Sequence, residues 1–450
     1  MLSVGLILLV IPAVLLAQKL LVRPQRGILL LALVAPYDGL LLLLDGTDLL
    51  EGWKEALVAV TLAATFFCPS KARAVNPGVV PAWVGPLIGL IVVGLVSTAW
   101  VSTPVAIAGL KVDFYYLLVP WAIWRCPLSA KERDQLVTIL MLGGFITASI
   151  GVAQQFIGPE ELNALGYEFN TVIRTTGSVL RSFSTFELPF PFAFYMVFVL
   201  AIGIPVAFSD PTRLRNRLFL LSTPLLVAGI LAAVVRAAVL AVFIAGLYHV
   251  ARRYREVLSV TPLGLLLLAL APATLLSAVL SSSSLNERVD GWSLVSDTVI
   301  SRPLGTGIGT VGSAAEVATD LGGGIEESFG LTPDLLPYQP DNYYVKRVLE
   351  LGPIGLWLTI VLLRHAIETA RSVRTRAGPA DEALIDGIVA SILGSAAAAT
   401  VATYFEIFPL DLFFWMMLGV LTSIDRAESA SPDSPSSPVE VAFKPISTSS

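Results

Sequence analysis

Arg236 stands in VVRAAVLAVF, after about seventeen mostly apolar residues and at the start of the next hydrophobic stretch. A guanidinium at a membrane boundary costs at least a few kcal/mol unless it is paired or solvated. Two readings stay open for it: a head group that snorkels to the interface, or a ligand-binding arginine at the mouth of a polar cavity. Arg174 and Arg181, in RTTGSVLRSFSTFELPFPF, add weight to the second, as does Arg288. A guanidinium offers a planar, bidentate fork of donors, and small and hydroxyl neighbours leave room for a cluster of anionic oxygens, as in phosphate or pyrophosphate. A charged surface loop is the alternative for Arg174 or Arg181 taken alone.

Asp341, in QPDNYYVKRVLELG, is the candidate base. It directly precedes a helix expected to re-enter the membrane near Leu349. Partial desolvation there would lift its pKa towards a range useful for accepting a hydroxyl proton, whereas simple capping of the helix is the competing role. Glu326 and Glu327 are the fallback bases. Lys111 and Asp113, close together in one span, either line the cavity or brace one another. Tyr343, Tyr344, Trp292 and Phe190 either stack on sugar rings or belong to an interfacial aromatic belt.

Other chemistry is excluded by context. His249 and His365 sit beside basic loops on the opposite face from Asp341. GTGIGT at 305–310 follows Pro303 and no expected strand, so it is not a nucleotide-binding turn. Cys68 and Cys126 have no metal-ligand spacing, and their place near basic loops argues against a structural disulfide.

The elements that must position these residues are membrane helices. Of 450 residues, 55% are hydrophobic and 14% charged, and mean hydropathy is +0.78. A soluble domain carries about 25% charged residues. Apolar runs fall near 3–18, 27–46, 55–69, 80–98, 105–124, 135–156, 188–208, 217–233, 236–250, 259–279, 350–367, 384–403 and 407–423. Each is about long enough to cross a ~30 Å hydrocarbon layer, and none alternates as a barrel strand does. The fold expected is an all-α polytopic membrane protein of twelve or thirteen spans; a re-entrant pair flanking Arg236 gives the lower count. The opening run has no basic residues before it and reads as a retained helix, not a cleaved signal.

Lys and Arg recur in alternate loops, around 19–26, 71–73, 125–133, 213–217, 252–255 and 364–376, which the positive-inside rule makes cytoplasmic. The long segments 157–187 and 281–348 then face outward. The second insert, with Arg288, Arg302, Glu326, Glu327, Asp341, Lys346 and Arg347, is larger than a connector needs. A helix is expected to open it, capped by Ser284 or Asn286, with Val289, Trp292, Leu294, Val295 and Val299 on one face and Pro303 at its end. A flexible turn is expected at 305–309. Residues 1–425 form the membrane domain, and 426–450, rich in Ser and Pro, a disordered cytoplasmic tail.

Four stretches together resemble the O-antigen polymerase and ligase superfamily of integral membrane glycosyltransferases. RSFSTFELPFPFAFYM at 181–196 is similar to the family's arginine, small-residue, Phe, Pro segment entering a span. VVRAAVLAVF at 234–243 is similar to its Ser-Arg-Gly-Ala helix start, with Val235 in place of the serine. RVDGWSLVSDTVISRPLGTGIGTVG at 288–312 resembles its Arg…Trp…Pro-x-x-Gly-x-Gly segment. QPDNYYVKRVLELGPIGL at 339–356 resembles its His-Asn-x-Tyr…Glu-x-Gly-x-x-Gly segment, with Asp341 where ligases commonly carry histidine, a departure that leans towards a polymerase or an unusual ligase.

The resemblance covers roughly residues 20–425. It implies a metal-independent enzyme without cofactor in the bacterial cytoplasmic membrane, working at the extracytoplasmic face in cell-envelope polysaccharide biosynthesis. The donor would be an undecaprenyl-pyrophosphate-linked glycan, and the acceptor a glycan, lipid or protein hydroxyl. Carried over by motif, Arg236 and Arg288, with Arg181 and Arg174, would engage the pyrophosphate. Asp341 would serve as base, and Trp292, Asn342, Tyr344 and Lys111 would line the substrate site. A ligase, or a transporter or flippase of a lipid-linked anionic substrate, is the alternative.

Overall fold

A computed structural model describes residues 18, 20–43, 52–67, 80–176, 179–253, 295–296, 298–320 and 340–429. In chain order its helices are α1 (Gln25–Val34), α2 (Trp53–Phe67), α3 (Val84–Ser97), α4 (Thr103–Phe114), α5 (Leu118–Arg125), α6 (Ala130–Ile157) and the short α7 (Pro159–Ala164). A hairpin of β1 (Arg174–Thr176) and β2 (Val179–Arg181) follows. The chain continues through α8 (Pro189–Ser209), α9 (Leu214–Ala232), α10 (Arg236–Arg253), α11 (Ser313–Asp320), α12 (Tyr343–Arg374), α13 (Pro379–Ala398) and α14 (Leu410–Ser429). The chain is an all-α, multi-pass membrane protein.

Six described helices, counting fused pairs as one, are long and apolar enough to cross a membrane: Gln25–Leu43, Thr103–Arg125, Ala130–Ile157, Pro189–Ser209, Leu214–Ala232 and Tyr343–Arg374. Every apolar run within the described residues lies on a helix. The run at 259–279, and all but the last residue of 3–18, lie outside them, as do the capping positions 284 and 286 and the tail from 430. Of the helix expected to open the long insert, residues 295–296 and 298–301 are described and helical, and the helix stops before Pro303.

The core forms around α8, whose residues from Phe192 to Gly203 are all buried. It packs against α6, α9, α10 and α13. Small residues allow the close approaches: a side chain at Gly144 would collide with Val199, one at Gly151 with Phe192, and one at Gly387 with the backbone of Ile202. Between membrane helices, where lipid is as apolar as leucine, such contact supplies much of the association energy. Outward-facing apolar side chains such as Leu221, Leu231 and Trp357 remain exposed, as a lipid-facing surface requires.

The basic loops gather at one end of the bundle. Ser129 caps α6 with a reciprocal capping box to Glu132, and Arg133 in its first turn donates to Asp381 of α13 at 2.9 Å. Arg213 and Arg215 donate to Asp134 at 2.7 and 2.9 Å, and Arg376 to Asp425 at 2.6 Å. The 28 residues of α6 span about 42 Å, so the segment 158–187 beyond its other terminus lies at the opposite end. In a cysteine-free background, Glu168→Cys and Thr375→Cys, both at exposed positions, should react with an impermeant thiol reagent from opposite faces of the membrane. On the positive-inside expectation, Thr375 is the one that should be labelled from the cytoplasmic face. Labelling of both from one face would break this arrangement.

Candidate functional site

The segment 182–187 enters the bundle as a polar strap rather than a surface loop. Ser182, Phe183, Ser184, Thr185 and Phe186 are all buried. Its backbone is satisfied by the end of α6. Gln154 Oε1 accepts from the amides of Phe183 and Ser184 at 3.1 and 2.7 Å, and its Nε2 donates to the Ser184 carbonyl at 2.9 Å. Ser184 Oγ donates to the Thr147 carbonyl and Thr185 Oγ1 to that of Pro36, at 2.6 and 2.5 Å. Buried backbone groups need partners when no sheet or helix provides them, and one carboxamide provides three.

This strap fixes the hairpin that precedes it. Arg174 and Arg181 are directly opposed in the antiparallel register, where like charges repel. Arg181 rests on the face of Phe190, 5.4 Å from the ring centroid, and among the described residues its Nε is buried without a hydrogen-bond acceptor. Burial first, then the charges of Arg174 and Arg236, hold the Arg181 guanidinium below its usual pKa. Arg236 is exposed at the first residue of α10, the positive end of that helix dipole. The turn before it is strained: Val234, a β-branched residue, has φ 53°. Three guanidinium groups and a helix N-terminus thus share one region, an arrangement that an anion relieves.

The long insert meets the membrane domain in a different way. Residues 305–309, expected as a flexible turn, are buried together with 310–312, and the segment presses backbone to backbone on α12. Thr306 N donates to Leu349 O at 2.8 Å and Gly307 N to Glu350 O at 2.9 Å. Gly305 and Gly352 have φ of 83° and 68°, and a side chain on either would strike the other strand's carbonyls, Glu350 O or Pro303 O. The stretches 288–312 and 339–356 singled out in the sequence therefore meet through their glycines.

Beneath that contact lies a fully buried ion network. Lys346 Nζ is 2.8 Å from Glu350 Oε2 and 3.4 Å from Asp113 Oδ1, and also contacts Glu406 Oε1. Arg347 holds Asp113 in a bidentate fork at 2.6 and 2.9 Å and donates through Nε to Tyr343 Oη at 2.7 Å. The second oxygen of each glutamate faces the glycine segment. Glu350 Oε1 accepts from Gly309 N at 2.9 Å, and Glu406 Oε2 from Ser313 N and Oγ at 3.2 and 2.9 Å. The mixed charge that drew attention to the end of the insert is thus partly structural. Sequence reasoning missed this; the signal available was the i, i+4 spacing of Lys346 and Glu350.

Other predicted residues separate. Lys111 and Asp113 do not brace one another: two positions apart on a helix they point to different sides, and Lys111 pairs with Glu55 at 2.8 Å. Asp341 is exposed and does not cap α12. Asn342 is the N-cap, accepting from Tyr344 N and Val345 N at 2.9 and 3.2 Å. Tyr344 Oη donates to Ala396 O at 2.9 Å, which ties that ring to α13. His249 and His365 bond the carbonyls of Ala201 and Ala82, and His249 lines a cleft with Arg252, Arg374 and Asp386 at the basic end. Arg288, Trp292, Glu326 and Glu327 lie outside the described residues.

The network makes a stability prediction. Asp113→Asn leaves two buried cations short of a charge and should cost about 3–5 kcal/mol, whereas Lys111→Ala, at a half-exposed pair, should cost about 1 kcal/mol or less. Thermal unfolding of the two purified variants in detergent measures the contrast, and equal losses would contradict it.

In a scan against protein-family models and a search of curated proteins, no match to this chain is found.

Proposed function

We propose that the chain is a membrane glycosyltransferase that transfers or polymerises undecaprenyl-pyrophosphate-linked glycans onto a glycan hydroxyl, at the extracytoplasmic face of a bacterial cytoplasmic membrane. The observation that carries the reading is the convergence of Arg174, Arg181 and Arg236. Like charges held together, with a buried donor directed at no acceptor among the described residues, are an expense to stability that a phosphate-rich ligand removes. Two of the four stretches that resemble the O-antigen polymerase and ligase superfamily contain Arg181 and Arg236.

In this reading the acceptor oxygen attacks the anomeric carbon as the bond to pyrophosphate breaks. The leaving oxygen takes the electron pair and fixed guanidinium donors stabilise the charge that develops there. The acceptor's proton passes to a carboxylate. Asp341 is the first candidate, being exposed and relieved of capping by Asn342. Direct displacement inverts the anomeric centre. A pyrophosphate-linked donor is already activated, so neither metal nor nucleotide is demanded. With a lipid or protein acceptor the same chemistry is that of a ligase.

A second reading, transport of a lipid-linked anionic substrate, is favoured by one observation. Charged groups inside a membrane domain often mark ion or proton pathways, and five of them meet around Lys346. Reconstituting the protein with a lipid-linked oligosaccharide separates the two. Longer or conjugated glycans support transfer; movement of unchanged substrate across the bilayer supports transport.

Two variant sets test the assignment. Arg236→Ala should remove most transfer at equal membrane abundance, and Arg236→Lys should recover little, since an ammonium restores charge without the fork. Near-normal activity of the alanine variant would make Arg236 a snorkelling residue. Asp341→Asn should lower the initial transfer rate by roughly 10²–10⁴-fold, with Asp341→His retaining more. Because Asn342 holds the cap, neither change removes the cap of α12. A fully active asparagine variant would move the search for the base to Glu326 and Glu327.

A further inference from the structure

The arginines come from separate elements, so something must set their spacing, and the geometry points to Gln155: we propose that its carboxamide is a positioning residue that holds Arg181 at a fixed place relative to Arg236. The inference rests on the proposed anion-binding reading of those arginines.

Gln155 lies in the last turn of α6. Its Nε2 is 2.7 Å from Leu180 O, 2.7 Å from Ser182 Oγ and 3.1 Å from Ala232 O. Leu180 and Ser182 flank Arg181 on either side, and Ala232 ends α9 four residues before Arg236. Two of the three partners are carbonyls, which only accept, so the amino group and not the amide oxygen must face them. Ser182 N also donates to Ala232 O, at 2.9 Å. The strand that bears Arg181 is therefore joined directly to the helix end that leads into Arg236, and Gln155 closes the junction from a third helix.

This junction stands where the backbone is otherwise poorly held. After Ala232 the helix ends, and Val234 takes its left-handed conformation. Arg174, Arg181 and Arg236 repel one another, so without a clamp the hairpin and the start of α10 would move apart. Gln155 does this with neutral donors. Lysine or arginine in its place would add a fourth like charge, and glutamate would set a carboxylate against two carbonyl oxygens. A carboxamide is the group that satisfies the acceptors without joining the electrostatics. Neighbouring Gln154 performs a separate task, satisfying the strap at 183–184.

The test uses the full-length protein in detergent with inorganic pyrophosphate as probe, comparing wild type, Gln155→Met, Arg181→Ala, Arg236→Ala and the double arginine variant. Gln155→Met keeps length and volume but removes the donors. It should weaken pyrophosphate binding about tenfold, the loss expected from one buried hydrogen-bonding group. In wild type the two arginine substitutions should be non-additive, and in the Gln155→Met background they should become additive, a readout that general loss of stability does not produce. Should Gln155→Met fold poorly, Ser182→Ala removes one partner and should show the same change to a smaller degree. Wild-type affinity in Gln155→Met, with both arginine variants impaired, would overturn the positioning role and leave the anion site standing. No pyrophosphate binding by the wild type, or binding untouched by the arginine variants, would overturn the anion site and the positioning role with it.

Discussion

Lys346 is an ammonium with no exposure to solvent, placed among Asp113, Glu350 and Glu406 on three different parts of the chain. Its position is tolerable only because three carboxylates surround its charge, while Arg347 covers the rest of Asp113 with a planar fork. In a medium of low dielectric an unpaired member would be costly, so the partners must arrive together. That requirement fixes α4 against α12 and draws in the short 3₁₀ turn Tyr404–Glu406. The remaining carboxylate oxygens then need donors of their own. Residues 309–313 supply them from the main chain and from Ser313, so the glycine segment is held on the network rather than free above it.

The arginine region is built on the opposite principle. Around Lys346 opposite charges satisfy each other; at Arg174, Arg181 and Arg236 like charges are held together. The scaffold that holds them is neutral: the carboxamides of Gln154 and Gln155, the hydroxyls of Ser182, Ser184 and Thr185, and main-chain carbonyls. A charged scaffold would have quenched the cluster. Neutral hydrogen bonds each contribute little net stability, about 1 kcal/mol, but they add no charge of their own to the cluster. Strain at Val234 and repulsion across the hairpin fall in this same region.

The helices were legible in the sequence because hydropathy and periodicity are local properties. The runs at 135–156, 188–208 and 217–233 match α6, α8 and α9 closely, and the capping box at Ser129 marks where α6 starts. The start of α12 was not legible on the same grounds. Lys346, Arg347 and Glu350 interrupt hydropathy, so the run seemed to begin at 350, although the helix starts at Tyr343. Arginines as candidate anion ligands could be chosen by type and neighbours, but not the direct opposition of Arg174 and Arg181, which depends on hairpin register.

What the sequence by itself determined is a lipid-embedded helical chain, with its basic loops on one side and its unusual charge confined to a few segments. Length, composition and the positions of Lys and Arg suffice for that, since each span is fixed by its own residues and the bilayer. Only the tertiary structure decided which charges meet an opposite charge and which like charges are held together. Lys111 and Asp113, two positions apart, have different partners, while Asp113 and Arg347, 234 positions apart, bond to each other. The glycines at 305–309, which locally signal a turn, lie buried because φ above zero and the lack of a side chain let two backbones touch. Charge pairing and close packing act through space, and the distances they act over exist only once the helices have assembled.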